Sequence, residues 1–177
     1  NNVSDAGRSM LKAAKSVASE IEKHAENLSE LKEPKYHNRL HFADALTSMS
    51  VQLAILVELK KDANQDWMVC ALLACIAHDF VHPGKVNLVE SEIEQQSVNF
   101  LKPILKSHSV PDEWQKIIDT VIVRSDFAVV HQNHAQVAGK AFEWNLEWLC
   151  VLLNEADVMA SASAKYGPEL GESLAQE

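Results

Sequence analysis

The chain has 177 residues, 47% of them hydrophobic, with five Gly and five Pro. That length suits one globular domain with a sizeable core, and the scarcity of turn-forming residues points to helices. Sixteen basic against 25 acidic residues leave a formal charge of −9, and with no basic stripe this argues against a nucleic-acid polymer as partner. A small phosphorylated substrate stays compatible, because a bound metal reverses the field locally. Cys70, Cys75 and Cys150 form no CxxC pair and fall in apolar runs, so reduced core thiols and a cytoplasmic setting are expected. No signal peptide is recognisable, and no apolar run is expected to be long enough to span a membrane. A single domain over residues 1–177 is expected, and because the first residue is not Met it could be one piece of a longer chain.

In chain order, the spacing predicts a helix over about Ser9 to Glu33, with Leu11, Ala14, Val17, Ile21 and Ala25 on one side and Pro34 at its end. His24 reads as a surface or packing histidine of that helix rather than a ligand. The stretch from Tyr36 leads into a long apolar helix reaching Lys60, and His37 and His41, four residues apart, are expected on one face of it. Asn64 or Asp66 can cap the next helix, an apolar run from Trp67 to Ala77 that stops at His78-Asp79, with His82-Pro83-Gly84 beyond. A helix near Glu90 to Ser107 follows, with Pro103 inside it, and Glu90, Glu92 and Glu94 suit its N-terminus. Trp114 to Arg124 is helical, since no second strand could pair with Val121-Ile122-Val123. Ser125 to His134 reads as a polar connector, with a helix from about Ala135, a last core helix over Leu146 to Ala164, and a short one after Tyr166-Gly167-Pro168.

The polar residues at buried-looking positions are few: His37, His41, His78, Asp79, His82 and Asp157. A His and an Asp at a core helix end serve two ends. They suit a helix C-terminus, where imidazole complements the dipole. They equally suit a divalent cation, which supplies the partner that buried polar groups need. Adjacent helix residues face different ways, so His78 and Asp79 need donors from other helices, and His41 and Asp157 are the natural suppliers. Mixed imidazole and carboxylate donors fit Zn, Mn, Fe, Ni or Mg rather than a structural thiolate zinc site.

The order His41…His78-Asp79…Asp157 resembles the H…HD…D signature of the HD superfamily of metal-dependent phosphohydrolases. Tyr36-His37-Asn38-x-x-His41-x-x-Asp44 and His78-Asp79-x-x-His82-Pro83-Gly84-x-x-Asn87 are similar to the YHNxxHxxDV and HDxxHPGxxN motifs of class I cyclic-nucleotide phosphodiesterases. Ser125-Asp126-Phe127, with His131 following, is a looser likeness to their TDM…H segment. The resemblance implies an all-α fold, a single HD-domain helical bundle with a central metal site holding one or two divalent ions. It implies that His41, His78, Asp79 and Asp157 ligate the first ion, that Asp79 bridges to the second, and that a water-derived nucleophile attacks phosphorus in line. His37 matches the proton donor to the leaving oxygen. His82 would assist the site or contact phosphate, Asn38, Lys85 and Asn87 are candidate substrate contacts, and Glu94 a candidate for orienting water.

Two points depart from the family pattern. The segment that carries the family's purine-selecting glutamine and aromatic clamp is expected to be absent or elsewhere, and Tyr166-Gly167-Pro168 lacks the surroundings of an HD-GYP motif. The reading is therefore a phosphohydrolase acting on a phosphoester of a small nucleotide or related metabolite, cyclic nucleotides included, with a non-catalytic nucleotide- or metal-binding regulatory domain as the alternative.

Overall fold

The apolar periodicity resolves into eight helices, and no strand forms among the described residues. The computed structural model describes residues 3–28, 33–60 and 62–177. They run α1 (Asp5–Asn27), α2 (Arg39–Lys60), α3 (Gln65–Ala77), α4 (Glu92–Ser107), α5 (Asp112–Val123), α6 (Val130–Val137), α7 (Leu146–Met159) and α8 (Gly167–Leu174). An all-α bundle is thus what the composition produces.

Helix α3 is the hub. It packs against α1, α2, α4, α5 and α7, and Cys70, Leu73, Ala74, Cys75 and Ala77 are fully shielded from solvent. Its small residues let neighbouring helices approach on several sides, which is why an almost uniformly apolar sequence suits it. Asn64 caps its start, its side chain accepting from the Trp67 amide. Helix α7 repeats the pattern with Leu149, Cys150, Leu153 and Ala156 at 0% exposure, and Asn145 as its cap. Burial pushes all three thiols up, so they are protonated core residues.

Several expected boundaries move. Helix α1 starts at Asp5, because Ser4 accepts from the Gly7 amide, and it ends at Asn27 where Leu28 turns extended. The expected end at Glu33 passes through residues 29–32, which lie outside the described set. Of the surface and packing roles open to His24, the exposed one is found. The connector expected over 125–134 is half helical: α6 already begins at Val130. Its polar sequence hid a buried face in which Asn133 (0% exposed) substitutes for an apolar residue. Asn133 can do so because it donates to the Arg124 carbonyl and to Asn154, and accepts from the Arg124 guanidinium. The last core helix stops at Met159, short of Ala164.

Helix α2 corrects a further expectation. It is long and apolar enough, by length and composition, to cross a membrane. Its inner face, His41, Phe42, Ala45, Ser48, Met49 and Leu53, is buried against α7 and α3, while Val51, Ile55 and Leu59 are exposed on its outer side. An exposed apolar face beside a buried one makes the whole helix read as hydrophobic.

The hub role of α3 has a measurable consequence. Leu73→Ala removes a fully buried side chain and should cost about 2–5 kcal/mol in urea unfolding. Leu59→Ala, at a position 72% exposed, should stay within about 0.5 kcal/mol.

Candidate metal centre and cleft

Three helix ends converge. His78 is the C-cap of α3, Asp79 follows it, Asp157 lies in the last turn of α7, and His41 is in the first turn of α2. The carbonyl ends of α3 and α7 carry partial negative charge and outnumber the single positive amide end, that of α2, so the helix ends themselves lean toward a cation.

The side chains concentrate that preference. His41 Nε2 lies 3.2 Å from Asp79 Oδ2 and 3.1 Å from Asp157 Oδ1. His78 Nε2 lies 3.1 Å and 3.4 Å from the same two oxygens. Adjacent donors of an octahedral ion with bonds of about 2.1 Å are separated by about 3 Å, so the set has the spacing a divalent ion requires. His78 Nδ1 donates to the Cys75 carbonyl at 2.7 Å, which leaves the Nε2 lone pair facing the cluster. His41, His78 and Asp79 are buried, while Asp157 is open to the cleft on one side. The donor set fits a divalent cation.

Electrostatics say the same. Burial opposes charge on His41, but hydrogen bonds to Asp157 and Asp79 outweigh it and hold the imidazole up at about 9. His78 is raised well above the usual histidine value, burial being outweighed by the Asp79 charge and the bond to Asp157. Burial likewise opposes charge on Asp79 and Asp157, yet the His78 charge and the bond from His41 hold Asp79 far below the usual carboxylate range, and bonds from His41 and His78 hold Asp157 low. Two imidazoles and two carboxylates this close are stable together only while positive charge sits among them.

Three of the cluster's residues, His78, Asp79 and Asp157, line a cleft of about 750 Å³. His37, His82, Lys85, Asn87 and Glu94 line it as well. His37 does not share a helical face with His41, as expected from spacing; it precedes α2 in a bend of residues 35–38. The cause is Asn38, whose Oδ1 accepts from the Leu40 and His41 amides and whose Nδ2 donates to the Lys35 carbonyl. Asn38 therefore caps α2 and does not line the cleft.

His37 is held by a residue that sequence reasoning missed. Its Nδ1 meets Glu177 Oε2 at 2.6 Å, and Glu177 Oε1 accepts from the backbone amides of Tyr36 (2.6 Å) and His37 (3.1 Å). Burial opposes the Glu177 charge, but those bonds lower its pKa below the usual value. His37 Nε2 is left 3.8 Å from Asp79 Oδ2. Nothing in a polar terminal stretch 140 residues from His37 signals this contact; only the fold supplies it.

His82 stacks on His37, ring centroids 3.6 Å apart. Burial pushes His82 down to about 4, so it is a neutral imidazole, and its Nδ1 accepts from the Gly84 amide at 3.1 Å. Gly84 has φ +66 and lies against Pro34 and Glu177, a conformation that favours glycine in this tight turn. His37, His82 and Glu177 also come within metal-ligating reach of one another. In each ring, however, Nδ1 is already engaged, that of His37 with Glu177 and that of His82 with the Gly84 amide.

Of the three glutamates near the start of α4, Glu90 and Glu92 are exposed. Glu94 turns inward, 7% exposed, where burial raises its pKa against the bond from Asn87. Asn87 also accepts from the Ile93 amide. Asp126, noted in sequence only as part of a connector, accepts from the amides of Ser91 (2.6 Å) and Ala128 (2.9 Å). It thereby fixes the first turn of α4, where Ser91 has φ 58, and so the position of Glu94. His131 is exposed on α6, and His134 lines the cleft instead, 3.3 Å from Glu155.

Comparison with known proteins agrees with this geometry. Residues 36–110 match the 3'5'-cyclic nucleotide phosphodiesterase family. The cGMP-specific 3',5'-cyclic phosphodiesterase delta of Plasmodium falciparum (isolate 3D7) is 42% identical over 57 residues, 32% of this chain and 7% of that protein. The matched segment is thus a small part of that relative's length. No solved structure matches. The stretch that supplies His41, His78 and Asp79 is therefore similar to part of the 3'5'-cyclic nucleotide phosphodiesterase family.

Proposed function

We propose that this chain is a metal-dependent phosphohydrolase that cleaves a phosphodiester of a small nucleotide, a cyclic nucleotide foremost. The observation that carries the reading is the four-donor cluster, three of its residues lining an open cleft, with an oriented imidazole 3.8 Å from one of its carboxylates. His41, His78, Asp79 and Asp157 would hold the cation, with Asp79 shared where two ions bind. When bound, such a cation acts as a Lewis acid on the phosphoryl oxygens and activates water.

The chain's own residues do the rest. Glu177 fixes the His37 ring by accepting from Nδ1, so that Nε2 faces the cluster. In its charged form that nitrogen can deliver a proton to the departing alkoxide. Neutral His82 braces the ring by stacking and contributes no charge of its own. Among the described residues, Lys85 is the one lysine or arginine lining a cleft rich in carboxylates, so an anionic substrate would depend on the bound cation for its electrostatic attraction. The negative overall charge supports a small phosphorylated partner over a nucleic-acid polymer.

Two outcomes test the reading. A transition-metal ion at about 100 times its Kd should raise Tm by about 5–10 °C. His41→Ala or Asp79→Ala should lose both that shift and the bound metal in elemental analysis. Metal-dependent hydrolysis of bis(p-nitrophenyl) phosphate should accompany binding; bound metal without turnover of any phosphodiester would favour a regulatory domain instead. His37→Ala should keep its metal yet slow turnover of an alkyl phosphoester about 10²–10⁴-fold, and less for a p-nitrophenyl leaving group. Glu177→Gln should move in the same direction by a smaller factor. Wild-type turnover of the alkyl ester in His37→Ala would overturn the proton-donor role.

A further inference from the structure

The bend that carries His37 is gripped from two sides. Residues 35–38 form no helix of their own, so their backbone groups and side chains take partners from other segments. One grip comes from the residues that follow α8: Lys35 donates to Gln176, and Glu177 accepts from the Tyr36 and His37 amides. The other comes from the turn that leaves α7. Tyr36, 7% exposed, ends in a hydroxyl 2.8 Å from Ser161 Oγ. Its ring meets the His37 ring in a T, centroids 4.8 Å apart, and lies 4.9 Å from the His41 ring.

Ser161 is held firmly enough to serve as an anchor. It stands four residues after Asp157, and the Ala162 amide still bonds to the Val158 carbonyl at 3.1 Å. The helical path of α7 therefore continues through it and sets Ser161 one turn beyond Asp157, on the same side. Its other flank is fixed by close packing: a side chain at Gly167 would drive a Cβ into the Ser161 carbonyl oxygen, so the start of α8 rests directly on this turn because residue 167 has none. One stretch of backbone thus carries a donor of the metal cluster and, a turn later, the group that holds the neighbouring bend. The Tyr36 ring joins the two, touching an imidazole of the cluster and the imidazole assigned to proton donation.

We propose that Tyr36 is a positioning residue: its hydroxyl, clasped by Ser161, holds the His37 ring at its place beside the metal cluster, so that the end of α7 sets the cation and the proton donor in one frame. This rests on the phosphodiesterase reading above. Glu177 fixes which nitrogen of His37 points inward, and the clasp fixes where the ring stands. A hydrogen bond between two hydroxyls adds little to global stability, whereas a small displacement of a reacting group costs rate steeply. The bond is therefore expected to show in turnover and not in folding.

The test compares Tyr36→Phe and Ser161→Ala, each of which removes one hydroxyl, with the parent protein and His37→Ala. In nitrogen-15 NMR spectra of the metal-free protein, the His37 imidazole signal, assigned by its loss in His37→Ala, should shift or broaden in both variants. With metal bound, kcat for 3',5'-cyclic adenosine and guanosine monophosphates, whose leaving group is an alkoxide, should fall about three- to thirtyfold in each variant. For bis(p-nitrophenyl) phosphate the fall should be no more than about twofold, since a good leaving group needs little protonation. KM and metal content should match the parent. The double variant should fall no further than either single one, and Ser161→Thr, which keeps a hydroxyl, should restore the parent values. Equal slowing of both substrate types, or loss of metal, would make the bond merely structural and overturn the inference. Slowing in Tyr36→Phe without slowing in Ser161→Ala would overturn it by making the phenol itself the donor. Slowing of the cyclic nucleotides in His37→Ala alone would overturn it while leaving the phosphodiesterase reading standing. If the parent hydrolyses only bis(p-nitrophenyl) phosphate, an unmoved His37 signal in both variants would overturn it. No metal-dependent hydrolysis by the parent would overturn both.

Discussion

Two imidazoles and two carboxylates whose ligand atoms lie within 4.8 Å of one another dominate this molecule. Burying any one of them alone is expensive, and burying three, with Asp157 open on one side, is tolerable because imidazole and carboxylate offset each other's charge. The raised histidines and lowered aspartates reflect this pairing of opposite charges. The rest of the architecture serves that arrangement. Helix α3 is apolar on every side because it must bring His78 and Asp79 to the centre of a bundle, and α7 is apolar because it must bring Asp157 to the same place.

Around this centre lies a second tier with a different physical basis. His37 belongs to a short bend rather than to a helix, and bends are positioned by hydrogen bonds to their backbone. Here those bonds come from Glu177 and from Asn38, one spending its carboxylate on two amides and an imidazole, the other capping α2. On the opposite wall Asp126 does the equivalent for the first turn of α4. Both walls are therefore set by single carboxylates reaching across to another segment's backbone.

This division explains what could be read in advance. The cluster was legible because its donors come with local spacing (His78-Asp79 at the end of an apolar run, His41 five residues after Tyr36) and because few polar residues interrupt the core helices. The all-α class followed from periodicity and the near absence of turn residues. What escaped was everything set by reach across the fold. Glu177 carries no local pattern, Asn38 looked like a substrate contact although its work is capping, and α6 was hidden because Asn133 pays for its burial with backbone bonds that no periodicity rule counts. The apolar outer face of α2 misled in the other direction, since length and composition do not distinguish a half-packed helix from a membrane-spanning one.

The placement of Asp157 on α7 has a consequence for how the molecule holds together. Three of the four donors lie between residues 41 and 79, and the fourth comes from a helix that closes over them much later in the chain. An ion held at the centre would be bonded to both halves and would act as a cross-link between them. By thermodynamic reciprocity, the docking of α7 would then tighten the ion and the ion the docking by the same amount, and chelation would act on the protein as the cutting of a tether, loosening α7 from the α2–α3 layer it packs against.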